Sequence, residues 1–213
     1  MKLLLTSAGV TNQSIADSLI GLVGKPISEI KIGLVSTAKN VQYGNADWFV
    51  RQFINLSKHG FNWIDVIDPS AAEVDYKLAL KDVDVILVGG GNTFHLLNQV
   101  RLTGFDEWLK TVLEDKVYMG ISAGSIVATP SIAIASVDNG DENLCGITDL
   151  SGLSLVDFEV SPHTPEDVSM KGNEEYSRTI SNVLYSLDDN SAIEVNGKEI
   201  KVISEGIWHK LNS

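Results

Sequence analysis

The sequence predicts an α/β protein, a mostly parallel sheet flanked by helices on both faces, with a β-hairpin at the C-terminal end. Three observations predict it. Short apolar runs of strand length alternate with amphipathic stretches of helical period over the first two-thirds of the chain. Several of those runs are apolar throughout, the pattern of strands covered on both faces. Near the C-terminus, Asn196-Gly197 separates two strand-like runs, the dipeptide of a tight hairpin.

Residues 2–6 form the first apolar run and end in Ser7-Ala8-Gly9, a turn. Residues 11–23 follow with Ile15, Leu19, Ile20 and Val23 at helical spacing. Residues 31–36 read as a second buried strand. Residues 46–58 are amphipathic, carrying Phe49, Phe53, Ile54 and Leu56, and Gly60 stops the helix. A third strand over 62–67 is closed by Asp68-Pro69, and 70–80 reads as a short helix. Residues 83–88 make the fourth strand and run into Gly89-Gly90-Gly91. Helices over 93–100 and 105–113 precede a fifth strand, 117–121, which breaks at Ser122 and enters another helix. The last third predicts a strand over 153–160, a helix over 173–187, the hairpin of 192–195 and 199–204, and a final strand within 206–211. No repeat or linker divides the chain, so residues 1–213 read as a single domain.

The charge narrows the function. A net charge of −12 speaks against a nucleic-acid binder, which needs a basic face, and is read as solubility. No apolar run approaches the roughly 18–20 residues of a membrane helix. The apolar start, residues 1–5, meets Thr6-Ser7-Ala8-Gly9 at once and reads as a strand, not a signal peptide. A single cysteine, Cys145, forms no intramolecular disulfide. These features lead us to expect a cytoplasmic protein with no membrane partner.

Gly120-Ile121-Ser122-Ala123-Gly124 is a G-x-S-x-G pentapeptide placed where a buried strand turns into a helix. Flanking glycines allow a tight corner that thrusts the Ser122 hydroxyl out at the sheet edge. The Ala123 amide then sits at a helix N-terminus, suited to an oxyanion. The bland alternative is Ser122 as a plain N-cap. Gly89-Gly90-Gly91-Asn92-Thr93 lies on the preceding strand, so Gly90 or Gly91 can supply the second oxyanion donor; alone it is only a tight loop.

A neutral serine needs a base, and there are four histidines. His59 ends a helix just before Gly60, where a cation suits the dipole. His95 and His209 lie in regular elements with no special feature. His163 stands in Ser161-Pro162-His163-Thr164-Pro165, a proline-stiffened loop after a strand, where a rigidly held catalytic imidazole belongs. Between serine and histidine the acids that could orient it are Asp138, Asp141, Glu142, Asp149 and Asp157. Asp157 sits in a strand pattern, and the cluster around Asp138 also reads as a solvated acidic turn.

Together, Val88-Gly89-Gly90-Gly91-Asn92-Thr93-Phe94, Gly120-Ile121-Ser122-Ala123-Gly124-Ser125 and Ser161-Pro162-His163 resemble the dipeptidase E (alpha-aspartyl dipeptidase) family of serine peptidases, relatives of the cyanophycinases. The resemblance runs from the first strand to near Ser186. It implies a class I glutamine-amidotransferase-like fold, a flavodoxin-like three-layer sandwich, with serine at the nucleophile elbow. It implies a Ser122–His163 pair and an oxyanion hole from the amides of Gly91 and Ala123. The family's acid follows the serine at about the spacing of Val137 or Asp138; Val137 cannot serve, which leaves Asp138. Gly90, Asn92 and Glu175 are the expected substrate-binding positions.

One departure concerns specificity. The aspartyl dipeptidases carry K-G-E-T-R after the histidine, and its arginine is associated with the substrate's aspartate. This chain reads Lys171-Gly172-Asn173-Glu174-Glu175, with Glu175 in the arginine's place. A carboxylate there repels an aspartyl side chain, so strict Asp-X specificity is not expected. Lys171 and Arg178 are cations nearby.

The reading is therefore a serine-type peptidase that hydrolyses short peptides by acyl transfer to water, with no cofactor. No H-E-x-x-H or paired Cys/His spacing points to a metal, and the glycine loop lacks the G-x-G-x-x-G and G-K-[ST] patterns of nucleotide binders. Two alternatives stay open: an amidase or esterase for non-peptide substrates, and a catalytically silent member that binds a small molecule or partner. A homodimer is the one protein assembly left open.

Overall fold

The computed structural model describes residues 1–212. A seven-stranded sheet carries β1 (Lys2–Thr6), β2 (Lys31–Val35), β3 (Trp63–Ile67), β4 (Val85–Val88), β5 (Val117–Ile121), β8 (Ser191–Asn196) and β9 (Glu199–Ser204), in the order β3-β2-β4-β5-β1-β8-β9. The first five strands of that order are parallel; β8 runs antiparallel to β1 and makes a hairpin with β9. The expected α/β architecture and hairpin are thus present.

Alternate residues of the central strands feed two cores. Leu3, Leu5, Ile86, Val88 and Tyr118 pack against α4 (Thr93–Thr103), α5 (Phe105–Val112) and α6 (Ala123–Val127) on one face. Leu4, Val85, Leu87, Met119 and Ile121 pack on the other, against α1 (Gln13–Val23) and α2 (Asp47–Lys58). Helices on both faces are the reason these strands are apolar at every position. Among the described residues no helix is long and apolar enough to cross a membrane.

A second sheet of three strands was not expected. It contains β6 (Glu159–Ser161), β7 (Leu184–Leu187) and β10 (Trp208–Leu211), in the order β10-β7-β6. The expected helix over 173–187 is two elements: α7 (Met170–Ser177) ends early and β7 takes the buried Leu184–Leu187 segment. The expected strand over 153–160 shortens to β6. Its first half instead pairs with the end of α6, Leu153 N–H bonding Val127 O at 2.7 Å and Leu155 N–H bonding Ala128 O at 2.9 Å. The expected helix over 70–80 shrinks to α3 (Tyr76–Ala79). The Asp68 carboxylate organises the turn before it, accepting from Thr37 Oγ1 and Ser70 Oγ, each at 2.7 Å.

This topology sets the site. The five parallel strands end at one edge of the main sheet, and β6 and β7, parallel to each other, run into the loops that begin at Pro162 and Asp188. In open α/β sheets that carboxyl edge is where ligands bind.

Candidate active site

Strand β5 ends at Ser122, whose backbone lies at φ 50° and ψ −110°. A non-glycine residue at positive φ is strained, a state that costs about 1–3 kcal/mol and persists only where the surroundings enforce it. Here they do. Ser122 N–H bonds Thr6 O at 3.1 Å, and Ser122 O accepts from Ser125 N–H at 2.8 Å and Ile126 N–H at 3.0 Å. The flanking glycines are required by close approach: a Cβ on Gly124 would lie 1.9 Å from Val88 O, and one on Gly120 would lie 2.6 Å from Ser125 N.

The glycine loop after β4 is fixed at both ends. Gly89 N–H bonds Val35 O at 3.0 Å and Asn92 N–H bonds Ala38 O at 2.9 Å. Gly91 lies at φ 136°, and a Cβ there would meet Ala38 O at 2.3 Å. A Cβ on Gly90 would stand 3.3 Å from Ser122 Cβ, so this loop runs directly beside the serine. The backbone of Gly90 and Gly91 is therefore brought to the corner whose next amide is Ala123.

His163 follows β6 and itself takes a left-handed backbone, φ 56°. Its Nδ1 bonds Asp189 Oδ1 at 2.6 Å. The parallel pairing of β6 with β7 makes this possible: Thr164 N–H bonds Leu187 O at 3.0 Å, so the two strand-end loops lie side by side. Asp188 shapes its own turn, accepting from Ser191 Oγ at 2.6 Å and from Asn190 N–H at 3.0 Å. Ser7, just past β1, completes the group: its Oγ donates to Asp189 Oδ1 at 2.8 Å and accepts from His163 N–H at 2.8 Å.

The pair is electrostatically coupled. Burial acts to lower the His163 pKa, but the hydrogen bond and charge of Asp189, with the charges of Asp167 and Glu166, raise it above the ordinary histidine value. Burial acts to raise the Asp189 pKa, and the bonds from His163 and Ser7 with the imidazole's charge take it below the ordinary carboxylate value.

Ser122, His163 and Asp189 line one cavity of about 620 Å³, together with Gly90, Gly91 and Gln52. Its charged lining is mostly acidic: Asp141, Glu166, Asp167 and Asp189 face it, with Arg51 from α2 the cation.

Three expected positions fall elsewhere. Asp138 does not reach the imidazole; it holds Ser169, the N-cap of α7, accepting from Ser169 N–H at 2.8 Å and Ser169 Oγ at 2.7 Å. Asn92 is buried and caps α4, accepting from His95 N–H at 2.8 Å, while its amide donates to Glu142 O at 2.9 Å. Glu175 lies on the exposed face of α7, 3.6 Å from Lys171, and does not line the cavity. The alternative acids also differ in place. Asp149 pairs with Arg101 at 3.1 Å and Asp157 is exposed on another face. Asp141 does line the cavity, but its carboxylate accepts from Thr93 N–H at 2.7 Å, and burial pushes its pKa up. His59 bonds Asn55 O at 2.9 Å within its own helix turn, and His209 is exposed.

Asp189 and Ser7 escaped the sequence reading. Asp189 lies beyond the histidine rather than between serine and histidine, and both residues stand in segments with the composition of ordinary turns. The usable signal was Asp188-Asp189-Asn190 placed between an apolar run and the first hairpin strand.

Known proteins are similar in sequence and share the fold. An uncharacterized peptidase of Listeria monocytogenes is 33% identical over 142 residues, 64% of this chain and 67% of that protein. An uncharacterized peptidase of Pasteurella multocida is 33% identical over 145 residues, 66% of this chain and 68% of that protein. Peptidase E of Shewanella oneidensis is 38% identical over 90 residues, 42% of this chain and only 36% of its own length. A crystal structure from L. monocytogenes described as a Peptidase E protein superposes with a TM-score of 0.79 at 24% identity, covering 96% of this chain and 98% of that one. A peptidase from an acI-B1 Actinobacterium superposes with a TM-score of 0.67 at 14% identity, covering 99% and 90%. At these identities the two solved structures speak for the fold. The profile of peptidase family S51 matches residues 3–203, nearly the whole chain. The chain belongs to peptidase family S51, and its enzyme class is that of a peptidase.

Proposed function

We propose that the chain is a serine-type peptidase acting on short peptides, with Ser122 as nucleophile, His163 as base and Asp189 as the acid that orients the base. The observation that carries this reading is a single cavity lined by a serine at a strained strand-to-helix corner and a histidine bonded through Nδ1 to a carboxylate.

Asp189 fixes the tautomer with the proton on Nδ1, which leaves Nε2 free to accept. Ser122 Oγ attacks the scissile carbonyl carbon as its proton passes to His163 Nε2. The tetrahedral oxyanion takes hydrogen bonds from the Gly91 and Ala123 amides; losing one such donor typically costs about 100–1000-fold in rate. His163 then gives its proton to the leaving amine, and the C–N bond breaks. A water, deprotonated by the same imidazole, attacks the acyl carbon; the bond to Ser122 Oγ breaks as His163 returns the proton to the serine, and the acid leaves. The Asp189 carboxylate stays ionised throughout and stabilises the transient imidazolium.

The cavity's size and walls support short substrates. Its acidic lining supports a substrate that presents a cation rather than an aspartyl side chain, so the case against strict Asp-X specificity rests on Asp141, Glu166 and Asp167 rather than on Glu175.

Ser122→Ala tests the reading. The variant should keep its circular dichroism and melting temperature and lose peptide hydrolysis. A fluorophosphonate should label the native protein at Ser122 and spare the variant. Wild-type turnover by the variant would remove Ser122 from the mechanism, and turnover confined to ester or non-peptide amide substrates would replace the peptidase reading with a narrower hydrolase one.

A further inference from the structure

We infer that Ser7 is a positioning residue for the His163–Asp189 pair, setting both the aim of the Asp189 carboxylate and the basicity of the imidazole. The inference rests on the serine-hydrolase reading for its meaning, though not for its measurement.

Ser7 is fully buried, and it stands where β1 leaves the main sheet, beside the strand that carries Ser122. One hydroxyl meets three groups there: Asp189 Oδ1 at 2.8 Å, His163 N–H at 2.8 Å and His163 Nδ1 at 3.3 Å. A hydroxyl has one proton to donate and two lone pairs to accept with. The proton goes to the carboxylate, which has none to give, and a lone pair takes the backbone N–H. The Nδ1 proton has its short bond to Asp189, so Ser7 is only a secondary neighbour to it.

The three elements that meet at this hydroxyl are far apart in sequence. His163 hangs from β6, Asp189 from β7, and both strands belong to the second sheet, whereas Ser122 and Ser7 belong to the edge of the main sheet. Ser7 is where the side chains of the base and acid are tied to the sheet that holds the nucleophile. Other residues hold the Asp189 loop by its backbone: Thr11 Oγ1 bonds Asp189 O at 2.8 Å and Asn12 Nδ2 bonds Asn190 O at 2.9 Å. Those contacts fix where the loop lies. Among the described residues, Ser7 is the side chain besides the imidazole that hydrogen-bonds the carboxylate oxygen facing His163.

The electrostatic consequence has a definite sign. The Ser7 hydroxyl disperses part of the negative charge on Asp189 Oδ1. Without it, that oxygen serves the imidazole alone, which favours the protonated ring and raises the His163 pKa. The orientation is loosened at the same time, which slows proton transfer; Ser7 stands in the cavity wall but is fully buried, so substrate binding should change little.

Ser7→Ala is the test. It removes one oxygen, and the turn it sits in retains the Gly9 N–H to Thr6 Oγ1 bond of 3.0 Å, so the fold should persist. The first measurement needs no substrate: NMR titration of the His163 ring in the wild type and in Ser7→Ala. The His163 pKa should rise by about half a unit, and Ser7→Thr, which keeps the hydroxyl, should return it toward wild type. The second is kinetic: kcat should fall about 10-fold or more with KM within about twofold. A ring titration in Ser7→Ala that coincides with or lies below wild type overturns the inference, as does a loss carried by KM alone. Because the titration reads the free enzyme, it stands even if no peptide proves to be a substrate.

Discussion

Asp189 binds the imidazole of His163 at 2.6 Å from a position 26 residues further along the chain, so the acid follows the base. In the triad proposed above the order is serine, histidine, acid. Asp138, at the spacing the family resemblance implies, is occupied with Ser169, the N-cap of α7, instead.

The first prediction separates these two carboxylates. Asp189→Asn keeps the shape but presents an amide that no longer fixes the Nδ1–H tautomer, and kcat should fall by about 100–10,000-fold. Asp138→Asn should leave kcat within about threefold, since Asp138 touches no reacting group, and should lower the melting temperature slightly through the weakened α7 cap. Peptidase assays and melts on the two purified variants check this; a larger kinetic loss in Asp138→Asn would reverse the assignment.

The second concerns pH and activity. The proposed mechanism needs His163 neutral, and Asp189 holds its pKa above the ordinary 6.5. The acid limb of kcat/KM should therefore fall above that value, with activity rising through it as pH increases. In Asp189→Asn the main upward push is gone while burial still lowers the pKa, so the limb should move to lower pH. A limb that stays in place would detach His163 from Asp189.

The third concerns pH and stability. His163 has a raised folded pKa, so its contribution is complete below the unfolded value and is lost as pH rises through the folded one. Asp189 has a lowered folded pKa, so its contribution is complete above the unfolded value of 3.8 and is lost as pH falls through the folded one. The pair therefore stabilises most between the two unfolded values, 3.8 and 6.5. Melting temperatures of the wild type and Asp189→Asn should differ most in that window, and the difference should narrow toward acid pH as Asp189 protonates and toward alkaline pH as His163 loses its proton.

What could be read from sequence was local. The Ser122 corner announces itself by glycines on both sides and an apolar strand before it, and His163 by the prolines at 162 and 165. The inner parallel strands are legible because burial on both faces removes polar residues from them; the edge strand β3 is mostly exposed and carries Asp65. Asp189 was not legible, because what aims it is the register between β6 and β7, a pairing no short window contains. The second sheet was hidden by a coincidence of spacing: Tyr176, Ile180, Val183, Leu184 and Leu187 recur with helical period across a helix end and a strand. Asn92 and Glu175 were misassigned for the converse reason, since a motif position does not state which way its side chain points.

The fourth prediction follows from the elbow's packing. Gly124 lies against Val88 O so closely that a methyl group cannot be accommodated without moving backbone. Gly124→Ala should destabilise the fold by about 1–3 kcal/mol, the range for overpacking, and should lower kcat because α6 carries the Ala123 amide. Urea denaturation measures the first effect and an active-site titration the second. A variant with wild-type stability and kcat would show that the elbow is looser than its contacts indicate.

The last prediction concerns what the cavity selects. Asp141, Glu166 and Asp167 face it, and Arg51 is half engaged at its rim by Asp47 at 3.2 Å. A substrate carboxylate entering there meets more repulsion than attraction, whereas an ammonium meets the carboxylates of Glu166 and Asp167. Dipeptides with an N-terminal lysine should show kcat/KM about 10-fold above those with an N-terminal aspartate. Asp167→Asn should narrow that ratio by a few-fold, and raising the salt concentration should do the same, because exposed charges are screened within about 10 Å at 0.1 M salt. A library of dipeptides scored by N-terminal residue decides it: aspartate at the head of the ranking would mean that Arg51, not the carboxylates, governs recognition, and Arg51→Gln should then abolish the preference.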